Sequence, residues 1–237
     1  MMEYVNGDTR LAYEVHGSGF PILLIAPGGL RSERGMWQNS PLNPVALLSP
    51  HFQVIAMDQR NAGESSGPIE SGHDWDTYTR DQLDLMTHLG LERFAVVGMC
   101  IGGPYILNLI KLAPERVVAS VVMQTIGRDN NRQEFLAMFD GWAVDQQAKD
   151  SALTDEVLSC FRSNMYDGEA VFSVGYEVIE RLTHPLLILR GDDQYHPASV
   201  SDHIASIAQH AMLIRDWKED GEKTGALARA FLLEHSA

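Results

Sequence analysis

The sequence contains few cysteines and few basic residues for its length. Cys100 and Cys160 are the two cysteines in 237 residues, so a framework of several disulfide bonds is excluded. There are 18 lysines and arginines against 32 aspartates and glutamates, which gives a formal net charge of -14. Such a surface repels phosphates, and we therefore expect neither nucleic acid nor a membrane as a partner.

Long apolar runs are also missing. No stretch approaches the ~20 apolar residues that a membrane-spanning helix needs, and residues 1–10 do not resemble a secretory leader. The cysteines and histidines show no metal-ligand spacing, so we expect no metal and no cofactor. These features predict a cytoplasmic protein with a small-molecule substrate, and leave a homodimer open as its assembly state.

Short apolar runs alternate along the chain with longer segments of helical periodicity. The predicted strands are residues 10–15, 22–25, 53–57, 94–97, 118–123, 186–189 and 212–214. The predicted helices are residues 78–89, 103–112, 200–208 and 224–235. This alternation is typical of an α/β fold with a mostly parallel, doubly wound sheet, and we expect the first two of these strands to form an antiparallel hairpin.

Residues 127–182 make a connection much longer than is usual between a strand and the next element. Apolar residues recur in it with a spacing that indicates two or three amphipathic helices. The predicted organisation is therefore a core of residues 1–126 and 183–237 with a helical cap insertion at 127–182. The cap would stand over the carboxyl ends of the strands, where open parallel sheets bind ligands.

The segment Gly98-Met99-Cys100-Ile101-Gly102 follows an apolar strand and opens a predicted helix. Glycines on both sides of a central residue permit a sharp turn in which backbone meets backbone. Cys100 would then project from the sheet at a helix N-terminus, where amides and the helix dipole stabilise a thiolate. This context favours a nucleophile elbow over a buried structural cysteine, which is the alternative for an isolated Cys.

Three other segments, with the elbow, resemble the α/β-hydrolase superfamily over nearly the whole chain. They are residues 21–29, residues 52–65, which end in Asp-Gln-Arg-Asn-Ala-Gly-Glu-Ser, and residues 186–193. The resemblance implies an α/β-hydrolase fold. It also implies an oxyanion hole made by the backbone N–H of Ile101 and a second N–H from the turn of Gly28 and Gly29.

The general base of that family is a histidine after the last strand, but residues 215–221 contain none. His196 is the candidate replacement, because it lies in the loop that carries the catalytic acid in relatives. His196 could instead serve only to shape this loop before Pro197. Asp192 and Asp193 compete for the acid position, and we favour Asp193 because Asp-x-x-His places it on the same loop as His196.

An apolar or partly aromatic pocket is predicted from Trp37, Met99, Phe139 and Trp142. We expect Cys100, Asp193 and His196 to carry out acyl transfer or hydrolysis on a small ester, lactone or thioester. A thiol suits an altered triad because a few per cent of it is already ionised at neutral pH. Two alternatives stay open: a non-hydrolytic lyase or cyclase that uses the same pocket, and a binding protein that has lost catalysis.

Overall fold

The computed structural model describes residues 1–236, and within them eight strands form one sheet. The strands are β1 (Met2–Asn6), β2 (Thr9–His16), β3 (Pro21–Ile25), β4 (Gln53–Met57), β5 (Phe94–Cys100), β6 (Val117–Thr125), β7 (Leu186–Leu189) and β8 (Ala211–Ile214). Their order across the sheet is β1-β2-β4-β3-β5-β6-β7-β8. From β4 to β8 all neighbours are parallel, so the predicted fold class is confirmed.

Helices connect and cover these strands. They are α1 (Pro44–Leu48), α2 (Trp75–His88), α3 (Gly102–Leu112), α4 (Arg132–Lys149), α5 (Asp155–Tyr166), α6 (Tyr176–Ile179), α7 (Ala198–Ile207) and α8 (Gly221–His235). Two 3₁₀ helices, Gly29–Arg31 and Arg34–Asn39, follow β3. The three helices α4, α5 and α6 occupy the long connection between β6 and β7. The division of the chain into a core and a cap stays a prediction.

The hairpin predicted between residues 10–15 and 22–25, which form β2 and β3, was wrong. β2 pairs with β1 on one side and with β4 on the other, antiparallel in both cases. β3 lies between β4 and β5, because its apolar residues are buried and take parallel neighbours on both sides. β1 was missed in the sequence because it is a mostly exposed edge strand without an apolar run.

The centre of the sheet is enclosed by helices on both faces. Every residue of β5 is buried, as is typical of a central parallel strand. α3 packs against β5 and β6, and α4 packs against α5 and the 3₁₀ helix Gly29–Arg31. The carboxyl ends of β3, β5 and β7 consequently face the helices that follow β6. Among residues 1–236, no helix has both the length and the apolar composition that crossing a bilayer requires.

The turn from β5 into α3 has close backbone contacts. Cys100 adopts a left-handed conformation with φ of 61°, which is uncommon for a residue other than glycine. A Cβ atom on Gly98 would lie 2.9 Å from backbone atoms of Gly102, and one on Gly102 would lie 2.8 Å from the carbonyl oxygen of Ile25. Neither position can hold a side chain unless the backbone shifts, which explains the glycines beside the turn.

We expect Gly98→Ala to lower the free energy of unfolding by about 1–3 kcal/mol, the usual cost of overpacking. The new methyl group would meet the backbone of α3, which cannot rotate away. Gly72→Ala is the matched control because no atom lies within 4 Å of its Cβ position, and its change should stay within about 0.5 kcal/mol. Urea unfolding followed by circular dichroism measures both, and equal stabilities would contradict the account of the turn.

Candidate active site

Cys100 ends β5 and lies just before the first turn of α3. The residue is buried, with 8% of its surface exposed. Ile101 at the N-cap of α3 makes no side-chain hydrogen bond to the helix, so the first amides of α3 are not capped by that residue. Uncapped amides and the helix dipole stabilise a negative charge close to them.

The loop between β7 and α7 brings two of the predicted site residues together. Nδ1 of His196 lies 2.8 Å from Oδ2 of Asp193. Oδ1 of Asp193 accepts the backbone N–H groups of Tyr195 and His196, each at 2.9 Å. Asp192 instead contacts Lys218, with 2.5 Å between Oδ1 and Nζ. Of the two candidate aspartates, Asp193 is therefore the one hydrogen-bonded to the imidazole.

A residue that sequence reasoning missed holds this loop in place. Asn131, which is buried just before α4, donates from Nδ2 to the carbonyl oxygens of Gln194 at 2.9 Å and Gly127 at 3.0 Å. On the other side, the N–H of Gly191 donates to Oγ of Ser201 at 3.1 Å. The loop that carries His196 is thus fixed by hydrogen bonds to both flanking segments. An asparagine in a long insertion has no sequence signal that distinguishes this role.

The ionisation of Cys100 and that of His196 are coupled. Burial opposes a charge on Cys100, but the imidazole of His196 and the backbone amides of Gly28 and Ile101 favour the thiolate, and the pKa of the thiol is lowered overall. Burial also opposes a charge on His196, yet Cys100 and Asp193 raise its pKa. Opposite shifts of this kind favour a thiolate–imidazolium pair.

Nε2 of His196 is the ring atom left for the thiol. It is buried and makes no fully formed hydrogen bond within residues 1–236. Hydrogen bonds in unliganded active sites are often long and tighten only when the substrate binds. Asp193 also has a lowered pKa, because the hydrogen bond from His196 and the amides of Tyr195 and His196 outweigh the opposing effect of burial. The carboxylate therefore stays charged and keeps the ring oriented.

The turn after β3 brings a second backbone amide to the sulfur. Gly28 has φ of 115° and Gly29 has φ of 61°, and a φ near 115° is open in practice only to glycine. Oγ of Ser32 donates to the carbonyl oxygen of Ala26 at 2.6 Å and closes this turn. Gly28 acts on the sulfur together with Ile101, whereas Gly29 begins the 3₁₀ helix. Two amides beside one buried sulfur match the arrangement of an oxyanion hole.

A cavity of about 60 Å³ adjoins this turn. Its walls are Gly28, Gly29, Leu30, Arg31, Met138, Phe139 and Tyr166. It lies close to Cys100, because two of its walls interact electrostatically with the thiol. The amide of Gly28 favours the thiolate, and burial together with the charge of Cys100 raises the pKa of Tyr166.

The four residues predicted to form the pocket lie in different places. Phe139 lines the small cavity. Trp142 packs beside it, with 5.5 Å between the ring centroids. The sulfur of Met99 accepts a hydrogen bond from Oγ of Ser40 at 3.3 Å. Trp37 borders another cavity, of about 600 Å³, whose lining includes Glu14, Arg34 and Asp58.

Four walls of the small cavity, Leu30, Arg31, Met138 and Tyr166, were not among the predicted site residues. Met138 precedes Phe139 on α4, and Tyr166 ends α5. Leu158, Phe161, Met165 and Tyr166 follow the i, i+3, i+7, i+8 pattern of one helix face. The signal for Tyr166 was therefore present, but periodicity alone could not say that this face meets the turn of Gly28 and Gly29.

The segment between β8 and α8, where the resemblance implies a histidine, contains Trp217 and no histidine. Trp217 is buried there, and its indole N–H donates to the carbonyl oxygen of Arg190 at 2.8 Å. This contact attaches the segment to the end of β7. Within residues 1–236 no group of three or more His, Cys, Asp or Glu side chains is arranged to hold a metal ion. The expectation of no metal and no cofactor stays a prediction.

The sequence matches the family described as alpha/beta hydrolase fold over residues 21–170. This chain belongs to that family. It is 35% identical over 136 residues to a Synechocystis protein provisionally named a non-heme chloroperoxidase, a match that covers 54% of this chain and 47% of that protein. It is 33% identical over 106 residues to a Bacillus subtilis carboxylesterase, covering 44% and 33% of the two chains. The matched parts span less than half the length of these curated relatives.

The fold extends beyond those matches. The structure of a meta-cleavage product hydrolase from Pseudomonas fluorescens aligns with 99% of this alpha/beta hydrolase and with 98% of its own chain, with a TM-score of 0.74 and 21% identity. At that identity the likeness concerns the fold alone. The predicted membership of the superfamily and the predicted fold are confirmed.

We expect Asp193→Asn to lower the pKa of His196, because it removes the carboxylate that favours the imidazolium form. Asp192→Asn is the matched control, since Asp192 contacts Lys218 instead, and it should leave the titration of His196 unchanged. NMR titration of the His196 ring proton measures both variants. Equal effects of the two substitutions would contradict the pairing of Asp193 with His196.

Proposed function

We propose that this alpha/beta hydrolase is a cysteine-dependent hydrolase of small esters, lactones or thioesters. The observation that carries the proposal is the pairing of His196 with Asp193 at 2.8 Å, which leaves the buried Nε2 of His196 available to the thiol of Cys100. His196 and the amides of Gly28 and Ile101 lower the pKa of that thiol against the effect of burial. A nucleophile with a lowered pKa, a base oriented by a carboxylate and paired amide donors make up the parts of an acyl-transfer site.

In the first half of the reaction, the thiolate of Cys100 attacks the carbonyl carbon and forms a C–S bond. The electron pair of the C=O bond moves to its oxygen, which the amides of Gly28 and Ile101 stabilise by hydrogen bonds. Collapse of this intermediate breaks the bond to the alcohol or thiol. The imidazolium of His196 gives its proton to that leaving group, and an acyl-enzyme remains.

In the second half, neutral His196 accepts a proton through Nε2 from a water molecule as the water attacks the acyl-enzyme. The same two amides stabilise the second oxyanion. Its collapse breaks the C–S bond and returns the thiolate, so the imidazolium–thiolate pair is restored and the acid is released. Asp193 holds Nδ1 throughout, which keeps Nε2 directed at the reacting groups.

The placement of the base supports the use of cysteine. His196 and Asp193 are three residues apart on one loop. A base oriented by a carboxylate is therefore available without a histidine after β8. A serine hydroxyl depends on a base to remove its proton, whereas a thiol beside an imidazolium is already ionised in a large fraction of molecules. The family membership agrees with hydrolytic chemistry at this elbow.

We expect Cys100→Ala to lower kcat/KM for p-nitrophenyl acetate by at least about 10³-fold, as loss of a nucleophile does in related chemistry. Cys160→Ala is the control, because Cys160 is exposed whereas Cys100 is buried, and it should keep wild-type activity. Mass spectrometry of wild-type protein quenched during turnover should show one acetyl group on Cys100. Turnover that persists in Cys100→Ala would favour the lyase or cyclase alternative.

We expect a bell-shaped pH dependence of kcat/KM. The acid limb reflects protonation of the Cys100 thiolate, whose pKa is lowered, and the alkaline limb reflects loss of the His196 proton, whose pKa is raised. In His196→Gln the pKa of Cys100 should rise, because a group that favours the thiolate is gone. The pH profile of alkylation by iodoacetamide measures this shift directly. An unchanged alkylation profile would contradict the thiolate–imidazolium pair.

A further inference from the structure

The cavity beside the oxyanion amides is small for a hydrolase site. Its volume is about 60 Å³, whereas pockets for drug-sized ligands measure about 300–1,000 Å³. A water molecule occupies about 30 Å³ in the liquid. The cavity therefore has room for only a few non-hydrogen atoms of a substrate beyond its carbonyl group.

Most walls of this cavity cannot yield. Gly28 and Gly29 present backbone only, and Leu30 belongs to the buried core. Phe139 and Tyr166 are almost fully buried, and both pack within a cluster of aromatic rings that includes Phe161. Enlarging the cavity on these sides would require the core or the aromatic cluster to move.

Met138 is the lining residue that can be substituted without moving the core or the aromatic cluster. It is only partly buried, and its Cε lies 3.1 Å from the position that a Cβ atom on Gly29 would occupy. Its thioether side chain therefore lies directly over the oxyanion turn. Arg31, the remaining wall, is held by Asp145, with 2.5 Å between Nη2 and Oδ2. Among residues 1–236, Met138 has no such polar partner.

We propose that this hydrolase accepts short acyl groups and that Met138 sets the upper limit of their length. The inference rests on the proposed function, since it names the substrate class of the same site. The acyl chain enters between the oxyanion turn and α4, and the terminal methyl of Met138 blocks chains longer than about three carbon atoms beyond the carbonyl.

The neutral phenol of Tyr166 fits the same substrate class. Burial and the charge of Cys100 raise its pKa, so it stays protonated at neutral pH and adds no charge to the cavity. A short, uncharged acyl group can therefore lie beside it without the cost of burying an unpaired charge.

The test compares kcat/KM for p-nitrophenyl acetate, butyrate, hexanoate and octanoate. We expect wild-type protein to prefer acetate and butyrate and to lose at least about 100-fold at hexanoate, consistent with the discrimination that apolar pockets achieve. Met138→Ala should raise kcat/KM for hexanoate by about 10-fold or more and change that for acetate by less than about 3-fold. Leu136→Ala, on the same helix and also partly buried, should leave the profile unchanged.

A second measurement does not depend on hydrolysis. Alkylation of Cys100 by iodoacetamide and by N-hexyl iodoacetamide reports how large a group reaches the sulfur. The wild-type protein should discriminate against the hexyl reagent, and Met138→Ala should reduce that discrimination whether or not the protein turns over esters. Loss of ester turnover with intact size selection would overturn only the proposed function. Equal reaction of wild-type protein with short and long esters or reagents, or an unchanged selectivity in Met138→Ala, would overturn the limit set by Met138.

Discussion

The burial of the Cys100 thiol is the constraint on which the candidate site depends, because burial by itself opposes ionisation of the sulfur. An unpaired charge costs several kcal/mol when it leaves water, so the surrounding groups must replace the lost hydration. They come from three places along the chain: the amide of Gly28 after β3, the amide of Ile101 after β5, and the imidazole of His196 after β7. The sheet order places these three strands close enough for their ends to meet.

The loops that supply these groups are in turn held by buried polar contacts. Asp58, with 2% of its side chain exposed, accepts the N–H groups of Arg34 at 2.8 Å and Glu64 at 3.0 Å and pairs with the Arg34 guanidinium. Arg60 binds both oxygens of Asp81, at 2.8 and 2.6 Å. Buried ion pairs of this kind add little net stability, since desolvation offsets attraction, but breaking one is costly. They therefore hold the segments after β3 and β4 against their neighbours.

The helices between β6 and β7 determine how much space remains above the sulfur. The ion pair of Arg31 with Asp145 joins the 3₁₀ helix Gly29–Arg31 to α4. The indole N–H of Trp75 on α2 donates to the carbonyl oxygen of Met165 on α5 at 2.7 Å. These contacts seat α4 and α5 directly on the site. The polar groups around the sulfur thus come from the strand ends, while the inserted helices supply walls of the cavity beside Gly28.

The sequence by itself determined the fold and the position of the elbow. Apolar strands buried on both faces appear as continuous runs, and Gly98 and Gly102 mark a turn that no other residue fits, because both constraints act between neighbours in the chain. Pairing across the sheet is not local, so the sequence wrongly predicted a hairpin between β2 and β3 and missed the exposed edge strand β1.

Only the tertiary structure decided which polar groups meet. In the sequence Asp192 and Asp193 were nearly equivalent, and the folded loop turns one towards His196 and the other towards Lys218. The tertiary structure likewise placed Met138 and Tyr166 beside the turn of Gly28 and Gly29, and Trp37 at a separate cavity. Local patterns fix which face of an element is apolar, whereas the partner of that face depends on how distant segments pack.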